Sequence, residues 1–267
     1  MDVIDQIKPA IVAILLANEG QNVQEAKPNG TGFFVTSDGY ILTCYHVVEP
    51  LIEFKSLIRV KTANRIFEAD YIEDKSRSQK YLDWAVLKIR EKGKFPCLRL
   101  LAESSQGDEW CTIGYELAER ANGVPNMGKI IGAFDRTEAT SRDIDLKSAN
   151  PIRGGVSGSP LFNKRTNSVA GLIKEVVKDT QAFATSIESV FQAWPELKDL
   201  NLGSELLIDT TQGSKMPLPS IWNVPFQRNP NFTGRQDILA HLAIALDSGE
   251  SGAWKQALWG MGGVGKT

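Results

Sequence analysis

Cysteine and histidine are scarce: the 267 residues hold three of the first and two of the second. Cys44, Cys97 and Cys111 are too few, and odd in number, for a disulfide scaffold, and none shows C-x-x-C spacing. Two histidines do not support a structural zinc site, and no metal is expected in the chain. Reduced, mostly buried thiols fit a cytoplasmic protein. An excess of positive charge is also missing. The formal net charge is −2 and the basic residues are scattered, so nucleic acid is not an expected partner. No repeat or low-complexity stretch stands out. The apolar run from Pro9 to Ala17 is too short to span a bilayer. Asp2 and Asp5 precede it, the opening is not basic and no small-x-small cleavage site follows closely. A buried first strand over Ile11–Leu16 is the better expectation, and a membrane is not an expected partner.

The composition, 42% hydrophobic and 23% charged, is that of a soluble globular protein long enough for one large domain or two ordinary ones. Residues 31–48, TGFFVTSDGYILTCYHVV, read as a β-hairpin turning at Ser37-Asp38-Gly39. Short strands are then predicted at Ile58–Lys61, Ile66–Ile72, Trp84–Ile89, Glu109–Gly114, Lys129–Phe134, Ser168–Val176 and Gln181–Thr185, mostly separated by Gly, Pro, Asn, Asp or Ser. This spacing predicts an antiparallel barrel or sandwich, not alternating β-α units. From Ser186 the period changes: Ile187, Val190, Phe191 and Trp194 have helical spacing, with Ser186 as N-cap and Pro195 as the stop. Residues 201–228 are polar and proline-rich and read as a linker. Beyond it, an amphipathic helix follows Gly234, and Ala257–Trp259 reads as a short strand.

Three segments carry chemistry. LTCYHVV puts His46 just after a hairpin strand, LDWAVLKI puts Asp83 at the mouth of an apolar strand, and GGVSGSP sets Ser157 between glycines. Singly, each reads as a structural histidine, a strand-opening turn residue and a glycine turn. Jointly they form a constellation. A serine hydroxyl is a poor nucleophile until an imidazole takes its proton, and the imidazole needs a carboxylate to fix its tautomer. Glycines let backbone N–H groups turn toward a developing oxyanion; here the donors would be the amides of Gly155 and Ser157.

On these segments, residues 1–200 resemble a trypsin-like (chymotrypsin-fold) serine peptidase and are similar to the bacterial high-temperature-requirement peptidases. The resemblance implies a mainly β fold of two six-stranded barrels with the active site between them. It implies His46 as general base then acid, Asp83 as its orienter, Ser157 as nucleophile, a protein or peptide substrate and no cofactor. Two departures stand out. Val156 occupies the place of the aspartate that pairs with a freed N-terminus in digestive members, so activation by N-terminal clipping is not expected. Pro151, near the expected base of the specificity pocket, offers no charge to favour Lys or Arg.

The last residues, GMGGVGKT, match the phosphate-binding pattern G-x-x-x-x-G-K-[ST]. Gly260, Gly262, Gly263 and Gly265 free the backbone to cradle phosphates, Lys266 reaches the terminal ones and Thr267 serves Mg²⁺. With NFTGRQD at 231–237, residues 229–267 resemble the start of an NB-ARC module of a STAND NTPase. That resemblance implies ATP or ADP with Mg²⁺, self-association, and a role as a nucleotide-controlled effector in signalling or bacterial defence. The helix expected after the loop has no residues in this sequence, so the nucleotide site reads as incomplete and ATPase activity is not expected. Two other readings stay open: a peptidase-fold module that binds protein without cutting it, and an NTPase.

Overall fold

The computed structural model describes residues 2–16, 26–79, 81–115, 123–136, 141–152 and 155–204. The chain divides into two units, Met1–Ser214 and Lys215–Thr267. The second lies outside the described residues, and with it the segment 231–237 and the whole nucleotide loop, Gly260, Gly262, Gly263, Gly265, Lys266 and Thr267 included.

The described part is mainly β. After a short helix α1 (Val3–Ile7), capped by Asp2, come β1 (Ile11–Leu16), β2 (Lys27–Phe34) and β3 (Tyr40–Thr43). Helix α2 (Tyr45–Glu53) is followed by β4 (Ile58–Lys61), β5 (Ile66–Tyr71), β6 (Arg77–Gln79) and β7 (Leu82–Ile89). The strands order as β3-β2-β1-β4-β5-β7, and β3 pairs with β7 to close a six-stranded antiparallel barrel, with β6 attached outside. β1 reads IVAILL because all but its last residue are buried. Fully burying side chains such as Ile11, Ile14 or Phe33 stabilises by about 1.5–3 kcal/mol each.

The second barrel is also closed and six-stranded: β8 (Glu109–Gly114), β9 (Val124–Arg136), β10 (Ser141–Ser148), β11 (Pro160–Asn163), β12 (Ser168–Lys178) and β13 (Gln181–Ser186). Its inner core is built on Trp110, Ile130, Ile144, Leu146, Leu161 and Ile173. Cys111, Ile113, Phe162, Val169 and Leu172 face outward and join the core of the first barrel, so one continuous apolar body fills the seam between barrels. Helices α3 (Ile187–Ala193) and α4 (Glu196–Leu202) seal it with Ile187, Val190, Trp194 and Leu197. Ser186 caps α3 as expected, its hydroxyl accepting from the Glu188 N–H.

The structure corrects the sequence reading at several points. β6, β10 and β11, and helices α1, α2 and α4, were not expected. β10 reads SRDIDLKS, and its charges at 142, 143, 145 and 147 hide the inward Ile144 and Leu146. The expected linker cannot begin at 201. Asn201 is 1% exposed and belongs to α4. Its side chain donates to Val35 O (2.7 Å) and Leu98 O (2.8 Å) and accepts from Leu100 N (2.9 Å). An asparagine that looks like a linker residue is therefore a clasp on the first barrel.

Candidate active site

His46 does not simply follow a strand; it lies in the first turn of α2. The first N–H groups of a helix have no partner within it, and the N-cap residue Cys44 makes no side-chain cap. The cap comes from another strand. Asp83 Oδ1 accepts the backbone N–H of His46 (3.1 Å), and Oδ2 meets the ring Nδ1 (2.6 Å). One carboxylate thus terminates the helix and orients the imidazole.

Register explains the meeting. Thr43 on β3 lies opposite Ala85 on β7 in antiparallel pairing, so the residues just past Thr43 run alongside Asp83. A bulge contributes: Ile14 pairs with Gly30 and Leu15 with Pro28, skipping Asn29, whose side-chain amide donates to Val47 O (2.6 Å) and fixes the start of α2.

The hydrogen bond from His46 to Asp83 raises the pKa of His46 above its ordinary value, against the opposing effect of burial. Burial by itself would raise Asp83, but the ring hydrogen bond, the His46 charge and the backbone N–H groups of His46 and Tyr45 hold it below the ordinary carboxylate range. With Nδ1 committed to an ionised carboxylate, the lone pair of the neutral ring is on Nε2. The His46 side chain is 46% exposed.

Ser157 belongs to the second barrel, in the turn before β11, and is half-buried. Backbone contacts seat the turn on β2. Thr31 N donates to Ser157 O (2.9 Å) and Thr31 Oγ1 to Gly155 O (2.6 Å); Gly158 N donates to Ile173 O (2.8 Å). Gly158 has φ +85°, and a Cβ there would lie 2.0 Å from Thr31 O and 2.5 Å from Thr43 Oγ1. Only glycine allows this approach. Val156, 2% exposed, anchors the turn in the second barrel's core, in keeping with a position that cannot form an ion pair. Pro151 is exposed.

The structure therefore brings His46 and Asp83 together and seats the Ser157 turn against the same barrel. It does not hydrogen-bond the Ser157 hydroxyl to His46. Among the described residues, the N–H groups of Gly155 (φ +83°) and Ser157 have no hydrogen-bond partner, as an anion-accepting pair would require.

Cys44, Thr31, Asn29 and Lys174 also support the site; they act across the fold, and no local pattern in the sequence marks them as site residues. Cys44 Sγ, His46 and Asp83 offer ligand-type atoms within 4.8 Å of one another. The Cys44 thiol donates to Ile173 O (3.3 Å), and burial first, then the Asp83 charge, push its pKa well above the ordinary value. A thiol held protonated is a poor metal ligand, so this group reads as packing behind the His–Asp pair.

The model of the trypsin-like peptidase domain matches residues 30–172. A probable periplasmic serine endoprotease DegP-like from Ectopseudomonas mendocina is 28% identical over 192 residues, covering 68% of this chain and 37% of the relative. Serine protease HTRA1 from Xenopus laevis is 34% identical over 176 residues, 61% of this chain and 35% of the relative. The chain thus spans little more than a third of these relatives' own length. The crystal structure of the MamO protease domain from Magnetospirillum magneticum superposes with a TM-score of 0.54 at 19% identity, over 70% of this chain and 96% of that one, a likeness of fold alone. The matched span covers more than half of the 267 residues and contains both barrels' share of the site, and on it the chain belongs to the trypsin-like peptidase domain family.

Proposed function

We propose that this domain is a serine endopeptidase. Ser157 Oγ attacks the scissile carbonyl carbon as His46 Nε2 takes its proton. The carbonyl oxygen becomes an oxyanion held by the N–H groups of Gly155 and Ser157. The tetrahedral species collapses to an acyl-serine, and His46 returns the proton to the leaving amine. Water, deprotonated by His46, then releases the acyl group and restores Ser157. Asp83 stays ionised throughout and stabilises the imidazolium. The observation that carries this reading is the double hold of Asp83 on His46, by ring nitrogen and by backbone N–H.

One observation favours a second reading, a silent protein-binding module: the Ser157 hydroxyl makes no hydrogen bond to His46. Catalytic hydrogen bonds are commonly long without substrate, and peptidase chemistry remains the preferred reading. A fluorophosphonate probe separates the two. Wild type is expected to label at one serine and Ser157→Ala not at all; a folded wild type that fails to label supports the silent module.

We further propose that the peptidase is the effector of a nucleotide-regulated protein acting in the cytoplasm. Residues 229–267 support this by motif alone, and the three buried free thiols fit a reducing compartment. In a protein that carries this domain with a complete nucleotide site, ATP with Mg²⁺ is expected to change the rate of Ser157 labelling, and Lys266→Ala to abolish that response. Identical rates with and without nucleotide would overturn the coupling.

A further inference from the structure

We propose that Lys174 is a positioning residue for the Asp83–His46 pair, acting across the seam through the turn at Tyr81. This rests on the peptidase reading above. The β6–β7 hairpin pairs Gln79 with Leu82 and Ser78 with Asp83, so Tyr81 lies in its turn, directly before β7. Tyr81 has φ +74°, a conformation such turns usually give to Gly, Asn or Asp and bulky residues rarely adopt. The second barrel holds it there. Lys174 Nζ donates to Tyr81 O (3.2 Å), and the Arg136 guanidinium lies over the Tyr81 ring, 4.5 Å from its centroid.

Both cations are fixed in turn by Asp143, whose carboxylate is fully buried. Lys174 Nζ meets Oδ1 and Arg136 Nε meets Oδ2, each at 2.7 Å. Lys174, with its side chain only 6% exposed, is not a surface residue in chance contact. Its neighbour Ile173 completes the arrangement, because Ile173 O accepts from Gly158 N and from Cys44 Sγ. The dipeptide Ile173-Lys174 thereby touches all three segments that carry Ser157, His46 and Asp83. A buried, fully paired charge cluster is a costly way to gain stability and a good way to fix one arrangement. Here the arrangement fixed is the entry of β7, two residues before Asp83.

The test is Lys174→Met, in which Asp143 keeps Arg136, with Lys174→Arg as the conservative rescue. The Asp143→Asn/Lys174→Met double variant removes both charges in case the single one fails to fold. The chain's two histidines, His46 and His241, make the imidazole titration readable by NMR, with His46→Gln as the assignment control. Glu49 is the other anion acting on His46. If Lys174 positions Asp83, the His46 pKa falls in folded Lys174→Met, labelling of Ser157 slows by tenfold or more, and Lys174→Arg recovers part of both. Loss of a nearby positive charge alone would shift the pKa the opposite way, upward, so a rise overturns the proposal. So does a wild-type titration and labelling rate in a folded variant. A wild type that does not label would sink the peptidase reading while the titration still decides the role of Lys174.

Discussion

The two barrels solve different problems. The first carries His46 and Asp83 on elements joined by its own hydrogen-bond ladder, β3 against β7, so the imidazole and its carboxylate partner meet within one barrel. The second carries Ser157 on a turn whose place relative to His46 depends on contacts across the seam: Thr31 to Ser157 and Gly155, Cys44 to Ile173, Lys174 to Tyr81. Their interiors differ accordingly. The first has a large apolar core with a few buried hydroxyls such as Thr31 and Thr43. The second has a smaller apolar core, leaves Trp110 Nε1, Thr112 Oγ1 and Ser159 Oγ buried without a protein partner, and places a buried ion cluster on its seam-facing side. The lesson is that a His–Asp pair can be made within one barrel, whereas the place of the Ser157 turn is a matter of how the two barrels are held.

The strongest way to break this contrast is Gly158→Ala. Its methyl would enter Thr31 O, and φ +85° disfavours any side chain. Labelling of Ser157 is expected to fall below detection while the His46 titration keeps its wild-type form; a variant that labels normally would mean the seam contact does not seat the turn. Next, Asp83→Asn leaves an acceptor for the α2 N–H but presents the wrong group to Nδ1, and the labelling rate is expected to drop by about 10⁴-fold. A drop below tenfold would remove Asp83 from the site.

A smaller effect comes from pH. Labelling needs neutral His46, so its rate should rise with pH about tenfold per unit on the acid side and level off at a midpoint above the ordinary 6.5. A midpoint at or below that value contradicts the Asp83 hydrogen bond. The same pair sets the linkage. His46 binds its proton more tightly when folded, so its contribution to stability is full below 6.5 and is lost as pH rises through the folded value. Asp83 is depressed, so its contribution is present above the ordinary 3.8 and is lost as pH falls through the folded value. Least affected should be the chemistry of Asn201→Ala. It leaves Val35 O, Leu98 O and Leu100 N without their partner, costing about 1–3 kcal/mol in a denaturant titration. The labelling rate of the folded fraction should be unchanged.

Much of this was readable in the residues. Alternating apolar runs marked β4, β5, β7, β8, β12 and β13 closely, and IVAILL marked β1, because strand period and β-branched composition are local properties. β10 was lost because its outward face is charged, and α2 because YHVVEPLIE contains Pro50 and continues an apolar strand without a side-chain cap. His46, Asp83 and Ser157 were recognisable as residue types in a suggestive order.

By itself, the sequence determined most of the strand content, the glycines that let the Ser157 turn approach Thr31, and the residue types of the proposed triad. Tertiary structure alone decided that Asp83 caps the helix bearing His46, that Asn201 clasps α4 onto the first barrel, and that Lys174 reaches Tyr81. Those pairings join residues 37, 166 and 93 positions apart. They follow from barrel register and closure, which no local window of sequence contains.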